Sequence, residues 1–213
     1  MQPEDAPYLL KGEAERKRRT EMLALPHAKP LENHLATIKA QRSEDKMPHF
    51  DPCDGGINAR ALFLLEAPGP QAVGSTFISR NNPDPTAQNL WHLMKGANIL
   101  RSDTLIWNVV PWYVGVPGRI RPVTRVDVQE ALPYLRELLN LLPHLQVIVL
   151  VGRKAQSATK AIQAMTPLLI VPTHHPSARV FNVWPDKKRQ TQGKFAAIAQ
   201  LLRDKDLNPR PAY

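Results

Sequence analysis

An α/β fold, a three-layer α/β/α sandwich around a four-stranded and mainly parallel sheet, is what this sequence predicts. Three observations carry the prediction. From Ala59 onward, short runs of Val, Ile and Leu alternate with stretches of helical apolar spacing. Those runs are continuously apolar, as strands covered on both faces of a parallel sheet must be. Two long proline-rich connections, Pro68 to Pro85 and Pro111 to Pro122, each follow one of the runs. They are longer than ordinary strand-to-helix loops, which marks them as functional loops at one rim.

Taken in order, residues 1 to about 50 read as a helical N-terminal extension, and residues 51–213 as the α/β domain. Tyr8 to Leu25 has the pattern of a charged helix, ended by Pro26, and Leu31 to Arg42 that of a second. The cluster Arg16-Lys17-Arg18-Arg19 reads as a solvated helix face. The four strands are Ala61 to Leu65, Thr104 to Val110, Gln146 to Val151 and Leu168 to Val171. Helices are expected at Thr86 to Asn98, Val126 to Leu142, Arg153 to Met165 and Gln190 to Leu202, with Pro133 breaking or kinking the second. Repeated strand–helix–strand units imply right-handed crossovers, hence helices on the faces of the sheet.

The chain has 213 residues, of which 43% are hydrophobic and 22% charged, ordinary values for a packed globular core. No apolar run approaches the length of a membrane span, and no secretory signal is visible behind the acidic start. The single cysteine, Cys53, excludes an internal disulfide and a cysteine-built zinc or iron–sulfur site. A reducing, cytoplasmic setting fits such cysteine usage, and no metal or cofactor is expected. Residues 101–213 carry 16 basic and 7 acidic groups, a surplus equal to the whole chain's net charge of +9. Charge concentrated in one half points to a polyanion partner, nucleic acid being the simplest; a merely solubilising surface is the plainer alternative.

Three strings at predicted strand ends carry chemistry: Leu64-Leu65-Glu66-Ala67-Pro68-Gly69, Ile106-Trp107-Asn108-Val109-Val110 and His174-His175-Pro176-Ser177. They put a carboxylate, a carboxamide and an imidazole at the carboxyl rim of the sheet, where open α/β folds bind ligands. In this order the strings resemble the uracil-DNA glycosylase superfamily, with Glu66 to Gly69 similar to its Gly-Glu-Ala-Pro-Gly motif and His175 to Ser177 to its His-Pro-Ser motif. Pro85 to Leu90 resembles the helix start that follows the first motif. The resemblance covers about residues 59–202. It implies a uracil-DNA glycosylase-like fold and a monomeric enzyme that acts on double- or single-stranded DNA in base excision repair; that the enzyme would be cofactor-free follows from the chain's cysteine count.

The resemblance assigns Glu66 to orienting water or offsetting the sugar cation, and His175 to donating to uracil O2, where the leaving anion's charge gathers. A neutral imidazole serves if its other nitrogen is held by backbone. Asn108 would read uracil O4 and N3–H. Ala67, Pro68 and Gly69 would line the base site and Phe77 would stack on the flipped base. The string Arg179-Val180-Phe181-Asn182-Val183-Trp184 offers an arginine followed by bulky apolar groups to enter the helix, Arg179, Val180 and Phe181 first among them, with Ser177, Lys187, Lys188 and Arg189 gripping phosphates. Each has a plainer reading: Glu66 as a loop cap, Asn108 as a satisfied structural amide, His175 and Phe77 as packing residues, and Lys187 to Arg189 as a helix start.

The pattern departs from the family at three places. Leu65 replaces the first glycine, Pro70-Gln71-Ala72 replaces acidic residues, and the four cluster-binding cysteines of that branch are missing, with Trp112 at one of their positions. These departures keep open a catalytically weak or inactive nucleic-acid-binding member. A serine hydrolase built on Ser177 and His175 lacks a Gly-x-Ser-x-Gly elbow.

Overall fold

The computed structural model describes residues 5–43, 45–116 and 119–207. Its centre is a four-stranded sheet in the order β4 (Thr104–Asn108), β2 (Ala61–Leu65), β7 (Val147–Val151), β8 (Leu169–Thr173), with every neighbouring pair parallel. Each of the four expected strands is present. The inner strands β2 and β7 and the edge strand β4 are almost wholly buried, whereas β8 at the opposite edge exposes half of Leu169. Two small pairs accompany it: β1 (His49–Phe50) with β3 (Phe77–Ile78), parallel, and β5 (Gly115–Val116) with β6 (Arg119–Ile120), antiparallel.

The helices are α1 (Glu13–Met22), α2 (Lys29–Gln41), α3 (Pro70–Ser75), α4 (Pro85–Gly96), α5 (Arg125–Asn140), α6 (Arg153–Gln156), α7 (Thr159–Gln163), α8 (Ala178–Val183) and α9 (Pro185–Leu207). Helix α4 starts where Asp84 accepts from the amides of Thr86 and Ala87, with Pro85 in the first turn. A reciprocal Thr124–Asp127 capping box starts α5. Pro133 does not break α5. It lies on the solvent face, where the carbonyl it leaves unpaired reaches water. The expected single helix after β7 is instead two short ones, while α3 and α8 arise inside segments the sequence pattern left as loops.

From β2 the chain crosses to β4 on one side, and from β7 it crosses to β8 on the other. The crevice between the carboxyl ends of β2 and β7 is therefore the topological switch point of the sheet. Register places Leu65 beside Asn108 and Val151 beside Thr173, so all three motif strings leave the sheet at the same rim.

The N-terminal stretch is packed into the common core through the fully buried Leu31, Leu35 and Ile38. Arg19, expected on a solvated face, is 1% exposed. It pairs with buried Asp51 and donates to Asn81 over 2.9 Å. Arg101 joins the cluster, 2.5 Å from Asp51, 3.0 Å from Asp54 and 2.7 Å from Asp5. Charges this deep persist only when mutually paired.

Candidate active site

Two cavities open at the rim, one on each side of the turn that follows β2. The first, about 290 Å³, is bordered by Asn108 and His175, by Ser79, Asn82 and Asp84, and by apolar Ile78, Leu90 and Ile106. The second, about 430 Å³, holds Glu66, Arg121, Val123 and Lys154. Leu65, Ala67, Pro68, Gly69 and His175 border both. Leu65 thus forms part of the partition and fills neither space. A Cβ built on Gly69 would meet nothing within 4 Å, which leaves room for a ligand to approach the backbone there.

Asn108 ends β4, is 3% exposed, and its Nδ2 is buried without a hydrogen-bond partner among the described residues. A buried amide donor left unpaired costs roughly 1–3 kcal/mol, so a carbonyl entering the first cavity would relieve that penalty. His175 is partly buried, and that burial lowers its pKa, leaving the imidazole neutral at pH 7. The backbone partner expected for its ring is not there: among the described residues neither ring nitrogen has a hydrogen bond. The absence of a side chain at Gly152 leaves the space beside it that His175 occupies. Gly152 has φ +90°, and a Cβ there would stand 2.9 Å from the Cβ of His175.

Glu66 opens on the second cavity, where its Oε1 accepts from the amide of Val123 over 3.3 Å. The loop presenting that amide is anchored by Arg121, which donates to both Asp127 oxygens at 2.6 Å and holds the Asp127 carboxyl well below the usual range. The acid and the amide therefore share His175 while facing neighbouring chambers.

Other expectations are corrected by packing. Phe77 is fully buried, tilted against His49 at 5.8 Å, and does not border the base-sized cavity. Ile78 and Ser79, the next residues along, border it instead. Phe181 is 5% exposed and belongs to the core, and Val180 packs beside it. The apolar side chains that do face outward after the His-Pro-Ser string are Val183 and Trp184, 57% and 42% exposed. They are preceded by exposed Arg179, and Lys187 sits 4.0 Å over the Trp184 ring. Lys188 and Arg189 are exposed, with Arg189 paired to Asp186. Ser177 caps α8 through Val180, and Asn89 of α4 donates to the Pro176 carbonyl over 2.8 Å. His174 is taken up structurally by Gln190.

The residues present do not fit a cysteine-bound cluster. Trp112 is buried under the Arg42 guanidinium, 3.6 Å from its ring centre, with Tyr134 edge-on. Cys53 lies near Arg18 of α1, 3.4 Å from its guanidinium. A further cavity of about 450 Å³ lies beside α1, where the chain enters β2 and β4, but it carries none of the strand-end strings.

The fold and rim define a parallel-sheet α/β protein with a cavity of about 290 Å³ at the carboxyl ends of its strands, bordered by Leu65, Asn108 and His175. The profile of the Uracil DNA glycosylase superfamily matches residues 52–202, and the chain belongs to that superfamily. Among solved structures it is similar to the solution NMR structure of a candidate uracil DNA glycosylase from Methanosarcina acetivorans. That similarity has 14% identity and a TM-score of 0.47, and covers 66% of this chain and 91% of the other. No curated protein matches. Among the described residues, no helix is long and apolar enough to cross a membrane.

Proposed function

We propose that this protein is a DNA glycosylase that hydrolyses the N-glycosidic bond of uracil or a related deaminated base, leaving an abasic site. The observation carrying the proposal is the buried, unpartnered Nδ2 of Asn108 at a cavity shared with His175. A donor held in this way suits a base carbonyl. The neutral His175 imidazole would donate to the departing base as negative charge builds up on it, and the Glu66 carboxylate would orient water or offset the sugar cation from the adjoining chamber. Extruding the base fits the exposed wedge at Val183 and Trp184, with Arg179, Lys187 and Lys188 on phosphates. The protein would work as a monomer on DNA.

The test is incubation with oligonucleotides containing uracil, hypoxanthine or xanthine, followed by alkali to break the strand at abasic sites. Release of at least one base, lost in Asn108→Ala and His175→Ala, is the expected result; wild-type rates in both variants would refute these roles. Because His175 is neutral, the rate should vary little between pH 6.5 and 8. A rate that climbs steadily towards acid would show a protonated imidazole at work. The placement of Glu66 in the neighbouring chamber supports one second reading, a member that binds DNA without turnover. Gel-shift binding with no base released at enzyme excess selects it.

A further inference from the structure

We infer that Lys154 is a positioning residue for Glu66, acting through residue 123 of the loop between β4 and α5. The inference rests on the glycosylase reading of the site and assigns a task to a side chain that none of the three motif strings contains. The β7–α6 turn, residues 152–154, stands at the switch point facing the turn after β2. Its first residue, Gly152, leaves no room for a side chain beside His175: a Cβ there would stand 2.9 Å from the His175 Cβ. Its third, Lys154, donates from Nζ to the carbonyl of Val123 over 3.0 Å. The amide of the same Val123 donates to Glu66 Oε1.

Residue 123 is thus held at both ends, by an ammonium on its carbonyl and a carboxylate on its amide, and its side chain is buried. The consequence for Glu66 is specific. One carboxylate oxygen is tied to the loop, and the other has no partner within the described residues and is free to meet water or the sugar. A charge-assisted bond to the loop is stronger than a neutral one, and it acts beside the point where the loop meets Glu66. Removing the ammonium frees the carbonyl of residue 123 and leaves the loop to the Arg121–Asp127 pair, the Thr124–Asp127 cap and the buried Val123 side chain, so the peptide that meets the carboxylate can rotate and the carboxylate can swing from its productive direction. Small misplacements of a reacting group cost rate and not affinity.

The experiment uses the full chain with Lys154→Met, Lys154→Arg, Glu66→Gln and the Lys154→Met/Glu66→Gln pair. Base release is measured for all four, and hydrogen exchange at the Val123 amide for the wild type and the single variants. Lys154→Met should lower kcat about tenfold with KM unchanged, Lys154→Arg should recover most of the loss, and the double variant should be no slower than Glu66→Gln alone. Val123 exchange should quicken in both Lys154→Met and Glu66→Gln. A rise in KM with kcat intact would make Lys154 a phosphate contact and overturn the inference, as would losses that multiply in the double variant. If wild-type protein releases no base, the glycosylase reading fails on its own, and the Val123 amide still decides the clamp: unchanged exchange in Lys154→Met refutes it.

Discussion

Replacing Asn108 by Leu should make the protein more stable and far less active. The two side chains share branching and heavy-atom count, and the cavity that Asn108 borders can take up the larger leucine methyls, so the substitution opens no void in the core. The β4 ladder is unaffected because the backbone pairing of residue 108 with Leu65 does not involve the side chain. What changes is the unpartnered Nδ2, whose burial costs roughly 1–3 kcal/mol. Losing that penalty should stabilise the fold by about 1–2 kcal/mol. For a chain of this length, each kcal/mol raises Tm by roughly 2–4 °C. In the proposed complex the same donor would meet the base carbonyl out of water, and deleting such a donor typically costs about 10²- to 10³-fold in rate. Calorimetric or urea unfolding measures the first effect, and single-turnover base release the second. A variant that melts below the parent would show that Nδ2 was satisfied in the free protein. One that keeps the parent rate would remove Asn108 from base recognition.

Three further outcomes test the architecture. Burial, with Asp51 close by, pushes the Asp54 carboxyl up to about 7 from an ordinary 3.8, so between those values the folded state keeps a proton that the unfolded chain has released. Stability should therefore decline from pH 4 towards pH 7, and Asp54→Asn should flatten that decline in urea titrations at a series of pH values; an unchanged slope would refute the assignment. Arg19→Met leaves buried Asp51 with Arg101 as its remaining cation and should cost about 3 kcal/mol by denaturant unfolding, whereas a surface arginine would cost under 1. Gly152→Ala combines a left-handed backbone with a Cβ too close to His175. It should cost about 1–3 kcal/mol of stability and reduce base release well beyond any change in DNA binding, measured by titration and turnover.

The parallel sheet was legible because strands covered on both faces must be apolar throughout, and Ala61 to Leu65 and Val147 to Val151 announce that directly. The rim was legible too, since Glu66, Asn108 and His175 each follow such a run and parallel pairing brings their ends together. The direction of an aromatic ring was not. Phe77 and Phe181 lie in stretches that read as loops, yet β3 and α8 bury them; the neighbouring Ser79 borders the cavity and Trp184 takes the exposed place. Arg19 looked solvated because its partner lies 32 residues away, beyond any local pattern.

What the sequence alone determined, then, is the set of chemical groups and the edge of the sheet at which they emerge, because hydrophobic periodicity is a local property of the chain. Only the tertiary structure decided that Glu66 and Asn108 face separate chambers joined by His175, and that Lys154 and Val123 stand behind the acid. Those relations depend on how the segments that follow four different strands meet in space, and contacts of that kind leave no periodic trace in any one segment.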